Sequence, residues 1–175
     1  MRGGRRSGAP GSTLATSARY PDKSPQVERA AILERLIDGT LYGAQIDDRG
    51  PAGASRTYAE AVQGRIVVRG LSRAGESARE HPGGPGVVVL DDSLFALWIA
   101  PATLATRDGT PLTGIFPRSG HRIAFTVRLD DSGAPGRRAV RLRGDVEGTI
   151  WLDETGRLLR IEFPGTVVEV VRPAD

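Results

Sequence analysis

From Val140 to Leu152 the chain alternates between two chemistries every second residue. Val140, Leu142, Gly144, Val146, Gly148, Ile150 and Leu152 share one parity, while Arg141, Arg143, Asp145, Glu147, Thr149, Trp151 and Asp153 share the other. A helix would spread both sets around its circumference, whereas a strand sends successive side chains to opposite faces. The segment is therefore predicted to be a strand with one dry face and one wet face, as in an antiparallel sheet covered on one side only. Two glycines on the apolar parity mark a bend, a bulge or a close approach by another element.

The polar stretch Asp153-Glu154-Thr155-Gly156 follows, ending in a residue that accepts positive φ. It predicts a hairpin that returns Leu159, Ile161 and Phe163 antiparallel to the preceding strand. Residues 122–129 repeat the design, with Ile123, Phe125, Val127 and Leu129 inward and Arg122, Ala124, Thr126 and Arg128 outward. Thr166–Val171, Arg65–Arg69 and Gly86–Leu90 also read as strands, the last apolar throughout and so buried on both faces.

Two segments carry helical signals. In 91–109, Asp92 or Ser93 is placed to cap a helix over about 92–105 that is apolar nearly all round through Leu94, Phe95, Leu97, Trp98 and Ile99. Pro101 should kink or end it. In 24–47, Ser24-Pro25 resembles a helix start and Gly39 a stop, yet the same letters allow a hairpin turning at Asp38-Gly39.

At 175 residues the chain has the length of one domain, able to bury roughly 70% of its unfolded surface. We expect a mobile leader over 1–12, rich in Gly, Arg, Pro and Ser, and a single β-rich domain over 13–175. Aromatic residues make up only 5%, so Val, Ile, Leu and Ala must supply most of the core. Net charge is +3, but Arg2, Arg5 and Arg6 of the leader account for all of it. Nucleic-acid binding, which needs clustered cations, is not expected. Cysteine is absent, which excludes disulfide scaffolds, thiol catalysis and Cys-based zinc sites. No stretch has the ~20 apolar residues of a transmembrane helix, and the leader lacks the apolar run of a secretory signal. The chain as written reads as cytoplasmic, or as envelope-associated if its true start lies upstream.

The usual catalytic constellations are weakly represented. His81 and His121 each sit beside Gly or Pro, no Gly-x-Ser-x-Gly elbow exists, and neither histidine has carboxylates at metal-ligand spacing. Asp91-Asp92 reads as helix capping and Asp130-Asp131 as turn chemistry, because adjacent carboxylates on a strand point to opposite faces. His81–Gly86, HPGGPG, lacks the ending of a nucleotide-binding loop and reads as a plain turn. No cofactor and no metal are expected.

VVVLDDSLFALW (87–98), the long alternating strand and WLDETGRLLRIEFPG (151–165) together resemble a class of bacterial envelope-type domains in which a curved antiparallel sheet wraps a short apolar helix. That class is similar to the lipoprotein and lipid-carrier superfamily, whose half-open β-cups shelter acyl chains and some of whose members precede hydrolase domains. The resemblance covers roughly the second half of the chain and implies the hairpin for 24–47. The chain departs from the pattern in lacking a signal peptide and a lipidated Cys.

The expected fold is thus mainly β, a curved antiparallel sheet or open barrel around one short apolar helix. The expected function is a non-catalytic binding or accessory role, with Phe95, Trp98, Phe125 and Phe163 lining a site for an apolar, lipid-like ligand. One alternative is a hydrolase-associated module or weak hydrolase, with Ser93 as nucleophile. Another is a protein-interaction module presenting Trp151, Arg122, Arg128, Arg141 and Arg143 on the outer sheet face.

Overall fold

In the computed structural model, which describes residues 11–20, 27–130 and 136–170, the alternating segments are strands of two sheets. The first is an antiparallel meander of β1 (Ser12–Tyr20), β2 (Val27–Arg35), β3 (Leu41–Gly50), β4 (Gly53–Val62), β5 (Arg65–Ser72) and β6 (Gly75–Pro82), each paired with the next in the chain. The second runs in the order β13 (Thr166–Glu169), β12 (Leu158–Phe163), β11 (Gly148–Asp153), β10 (Arg137–Gly144), β9 (His121–Asp130), β8 (Thr110–Phe116), β7 (Val87–Val89). Its β7–β8 pair is parallel. Parallel neighbours need a crossover, and this one holds a 3-10 turn (Phe95–Trp98) running into one turn of helix, α1 (Ile99–Ala102).

That crossover and β7 join the two cores. Val87 and Val89 pack with Ala31, Leu33, Leu41 and Ile46 of the first sheet, whereas Val88 and Leu90 pack with Phe125, Val140 and Ile150 of the second. The crossover divides in the same way, Leu94, Leu97 and Ala100 facing one cluster and Trp98 and Ala102 the other. An element apolar on every side is stable only when covered on every side. Pro101 sits where α1 ends one residue later, in keeping with its missing backbone donor.

Several local expectations need correction. Val140–Leu152 is two antiparallel strands, β10 and β11, in which Arg141 faces Thr149 and Leu142 faces Gly148. Gly144, at φ +136°, turns the chain out of β10, and the Asp145 carboxylate accepts a bond from the Ala124 N–H of β9 at 2.7 Å. In the following hairpin a bulge after Trp151 brings Leu158, not Leu159, opposite Leu152. The helical element covers 95–102 rather than 92–105, and its N-cap is Leu94, with no side-chain cap bond, rather than Asp92 or Ser93; ahead of it Asp91 accepts the N–H groups of Ser93 at 3.0 Å and Leu94 at 3.3 Å.

The hairpin reading of 24–47 holds over β2 and β3, turning through Asp38-Gly39 with Gly39 at φ +81°. Gly86 at φ +80° feeds β7 from the HPGGPG turn. The leader residues 1–10, Ser24-Pro25, Asp131 and Val171 lie outside the described residues.

Candidate functional site

Three of the four residues expected to line a ligand site meet one another. The Trp98 indole, 4% exposed, has its ring centroid 5.9 Å from Phe125 and 5.1 Å from Phe163, the latter edge-on. Phe95 packs half-buried against the same cluster. These contacts are those of an aromatic core.

The expected arginines of the second sheet do not share one uniformly outer face, since Ile115, opposite Arg122, is fully buried in the core against the first sheet. Arg128 and Arg141 stand directly opposite each other, Arg143 stands opposite Thr126, and Arg122 opposite Ile115, all four exposed. Arg141 pairs with Asp130 at 2.8 Å. Trp151 is half-buried beside Arg160, which forms ion pairs with Glu162 at 2.8 Å and Glu169 at 3.2 Å. Its indole N–H is buried and unbonded.

Ser93 lies within a charged network that ties the two sheets together. Arg118, in the turn between β8 and β9, donates from Nε to Asp91 Oδ2 at 2.6 Å and from Nη2 to Asp91 Oδ1 at 2.9 Å. Its Nη1 reaches Asp48 of β3 at 3.0 Å, and Asp48 also accepts from Arg29 of β2 at 3.0 Å. Ser93 Oγ donates to Asp91 at 2.8 Å and accepts from Arg118 at 3.2 Å and from Arg29. Burial by itself would raise the Asp91 carboxyl, but the bonds from Arg118 and Ser93 and the Arg118 charge outweigh it and hold it below its ordinary value. A carboxylate so held is a poor proton acceptor for a serine nucleophile. His81 lies on β6 and His121 at the start of β9.

A groove of about 750 Å3 with a mixed polar and apolar lining lies on the outward side of β2, β3 and β4. Register builds it. Glu34, Gly43 and Glu60 form one row across the three strands, and Ile32, Gln45 and Tyr58 form the next. With strands about 4.8 Å apart, the two glutamates flank Gly43 at about 10 Å between Cα atoms with no side chain between them. The Glu34 carboxylate leans over the gap, its Oε2 being 3.9 Å from where a Cβ on Gly43 would lie. A bulge inserts Tyr42 between the pairs Arg35–Leu41 and Glu34–Gly43. Tyr42, Ile32 and Val62 remain 39%, 46% and 43% exposed along the groove. Among the described residues neither Glu34 nor Glu60 has an ion-pair partner, although Arg–carboxylate pairs are frequent elsewhere on both sheets.

Sequence reasoning missed both the network and the groove. Arg118 and Asp48 carry no local pattern that links them, since their bond spans 70 positions. The groove depends on a bulge and on which residues face each other across strands, neither of which appears in the letters of a single strand. Among the described residues no cluster of His, Cys, Asp and Glu has metal-binding geometry, and no helix is long and apolar enough to cross a membrane.

No protein-family model and no curated protein matches the chain. A solved structure does: a DUF1089 family protein from Pseudomonas aeruginosa, 16% identical, superposes with a TM-score of 0.50 over 94% of this chain and 96% of its own. At that identity the likeness concerns the fold alone.

Proposed function

We propose that this protein is a non-catalytic binding domain whose ligand is a small amphipathic molecule seated in the groove of β2–β4. The observation that carries the reading is the exposure of Ile32, Tyr42 and Val62 together in one concave site, where side chains of this type contribute roughly 25 cal/mol for each Å2 they bury. The position differs from the one expected from sequence: the aromatic set around Trp98 packs on itself, so the apolar ligand is assigned to the outside of the first sheet.

Nile red, a neutral apolar dye, tests this reading. Saturable binding by the wild-type protein is expected, with loss in Ile32→Glu and no loss in Val167→Glu, which alters an exposed valine on β13 of the other sheet. No saturable binding, or equal binding by both variants, would overturn it.

A further inference from the structure

We propose that the groove selects an amphiphile with a cationic ammonium head, held between Glu34 and Glu60 with its charge against the Tyr42 ring. The inference rests on the groove being a ligand site and adds the chemistry of the ligand. It starts from the row Glu34, Gly43, Glu60, in which a position without a side chain separates two carboxylates on one face.

Three facts converge on a cation. First, the two carboxylates are unpaired among the described residues, and one of them leans across the glycine gap. Second, the bulge sets an exposed tyrosine beside them, and an aromatic face with flanking carboxylates attracts an ammonium group by its quadrupole as well as by charge. Third, apolar Ile32 on one side of the charged row and Val62 on the other extend the groove, and either side provides for a hydrocarbon tail. The neighbouring strand already shows the same pairing: the Arg56 guanidinium carbon lies 6.0 Å from the centre of the Tyr58 ring while the group bonds to Asp47. An anionic head would meet repulsion from both glutamates. A neutral head would gain nothing from their charge.

Gly43 gives an independent handle. It has no positive φ, and a Cβ there would meet the Ala59 carbonyl oxygen at 3.7 Å, an ordinary contact. Gly43→Val is therefore expected to fold while filling the space between the carboxylates.

The experiment is calorimetric titration of the full chain, below micelle concentrations, with octyltrimethylammonium, octyl glucoside, octyl sulfate and a hexa-arginine peptide. The wild type is expected to bind the ammonium compound about tenfold more tightly than the glucoside, through cation–π and charge contacts of modest individual size, and to bind the sulfate weakest. Glu34→Gln/Glu60→Gln should abolish that preference while retaining glucoside binding, and Gly43→Val should weaken the ammonium compound. A wild type that binds ammonium and glucoside equally, or a double variant that keeps the preference, overturns the cation inference and leaves the groove reading standing. Binding of none of the three octyl compounds overturns both. Glutamate-dependent binding of hexa-arginine that exceeds the ammonium compound overturns the inference in favour of a basic polypeptide.

Discussion

Arg118 holds Asp91 with two side-by-side bonds, Nε to Oδ2 at 2.6 Å and Nη2 to Oδ1 at 2.9 Å, on a carboxylate that is almost wholly buried. The pair lies where the β7 crossover leaves the second sheet, and through Asp48 and Arg29 it reaches β3 and β2 of the first. A turn residue and a strand-end residue thus help fix the position of one sheet against the other. The same carboxylate caps the backbone at Ser93 and Leu94.

Removing one partner leaves the other buried and uncompensated, which costs about 3–5 kcal/mol. Arg118→Met is accordingly expected to lower the urea midpoint strongly. Arg118→Lys, which keeps the charge but not the two-pronged geometry, should fall between that variant and the wild type. Equal stability of Arg118→Met and wild type in equilibrium denaturation would refute the bridging role.

The two faces of β9 make a sharper contrast. Phe125 is 4% exposed and packs against Trp98, so Phe125→Asp should unfold the domain, since losing a buried ring costs about 3–5 kcal/mol before the carboxylate is counted. Arg128 is exposed and faces Arg141 across the ladder. Arg128→Asp exchanges a like-charge pair for an opposite one, worth within about 1 kcal/mol. Circular dichroism melts of the two variants check the difference, and similar losses would contradict the assignment of faces.

That contrast was legible in the sequence because Ile123, Phe125 and Val127 alternate with polar neighbours under a sheet buried on one side. Much of the second sheet could be read in this way, including the turn at Asp153–Gly156. The break at Gly144 was hidden because apolar and polar residues keep their parity through Asp145, Val146 and Glu147, with no Asn-Gly or Pro to mark a turn. β6 offered nothing to read: from Gly75 to Glu80 every residue is exposed, so no dry face exists to imprint a period. Glu34 and Glu60 looked like ordinary solvated charges, since only the register of three strands sets them on either side of Gly43.

Backbone geometry yields a graded series at three glycines. Gly144 combines φ +136° with a Cβ position only 2.5 Å from the Ala124 carbonyl oxygen, so Gly144→Ala should cost about 2–3 kcal/mol from conformation and clash together. Gly64 at φ +77° has nothing within 4 Å of such a Cβ, and Gly64→Ala should cost about 1 kcal/mol from conformation alone. Gly43→Ala, free of both penalties, should be neutral or slightly stabilising through loss of unfolded-state freedom. Urea denaturation orders the three, and any other ranking would count against this account of the turns.

His81 sets a pH dependence near neutrality. It is 8% exposed on β6 opposite Ile66, and its Nε2 has no hydrogen-bond partner. Burial, followed by the charges of Arg122 and Arg79, holds its pKa below the ordinary 6.5. The native state therefore binds this proton more weakly than the unfolded chain, and stability rises with pH wherever the unfolded chain carries more protons. The contribution is fully present above the unfolded value and is lost as pH falls through the folded one. Denaturation midpoints of the wild type should drop between about pH 7 and pH 5, the range set by the ordinary imidazole value. His81→Leu should flatten that part of the profile while leaving the carboxylate-driven loss at lower pH, where Asp91 titrates. An unchanged slope in the variant would show that His81 is not the group responsible.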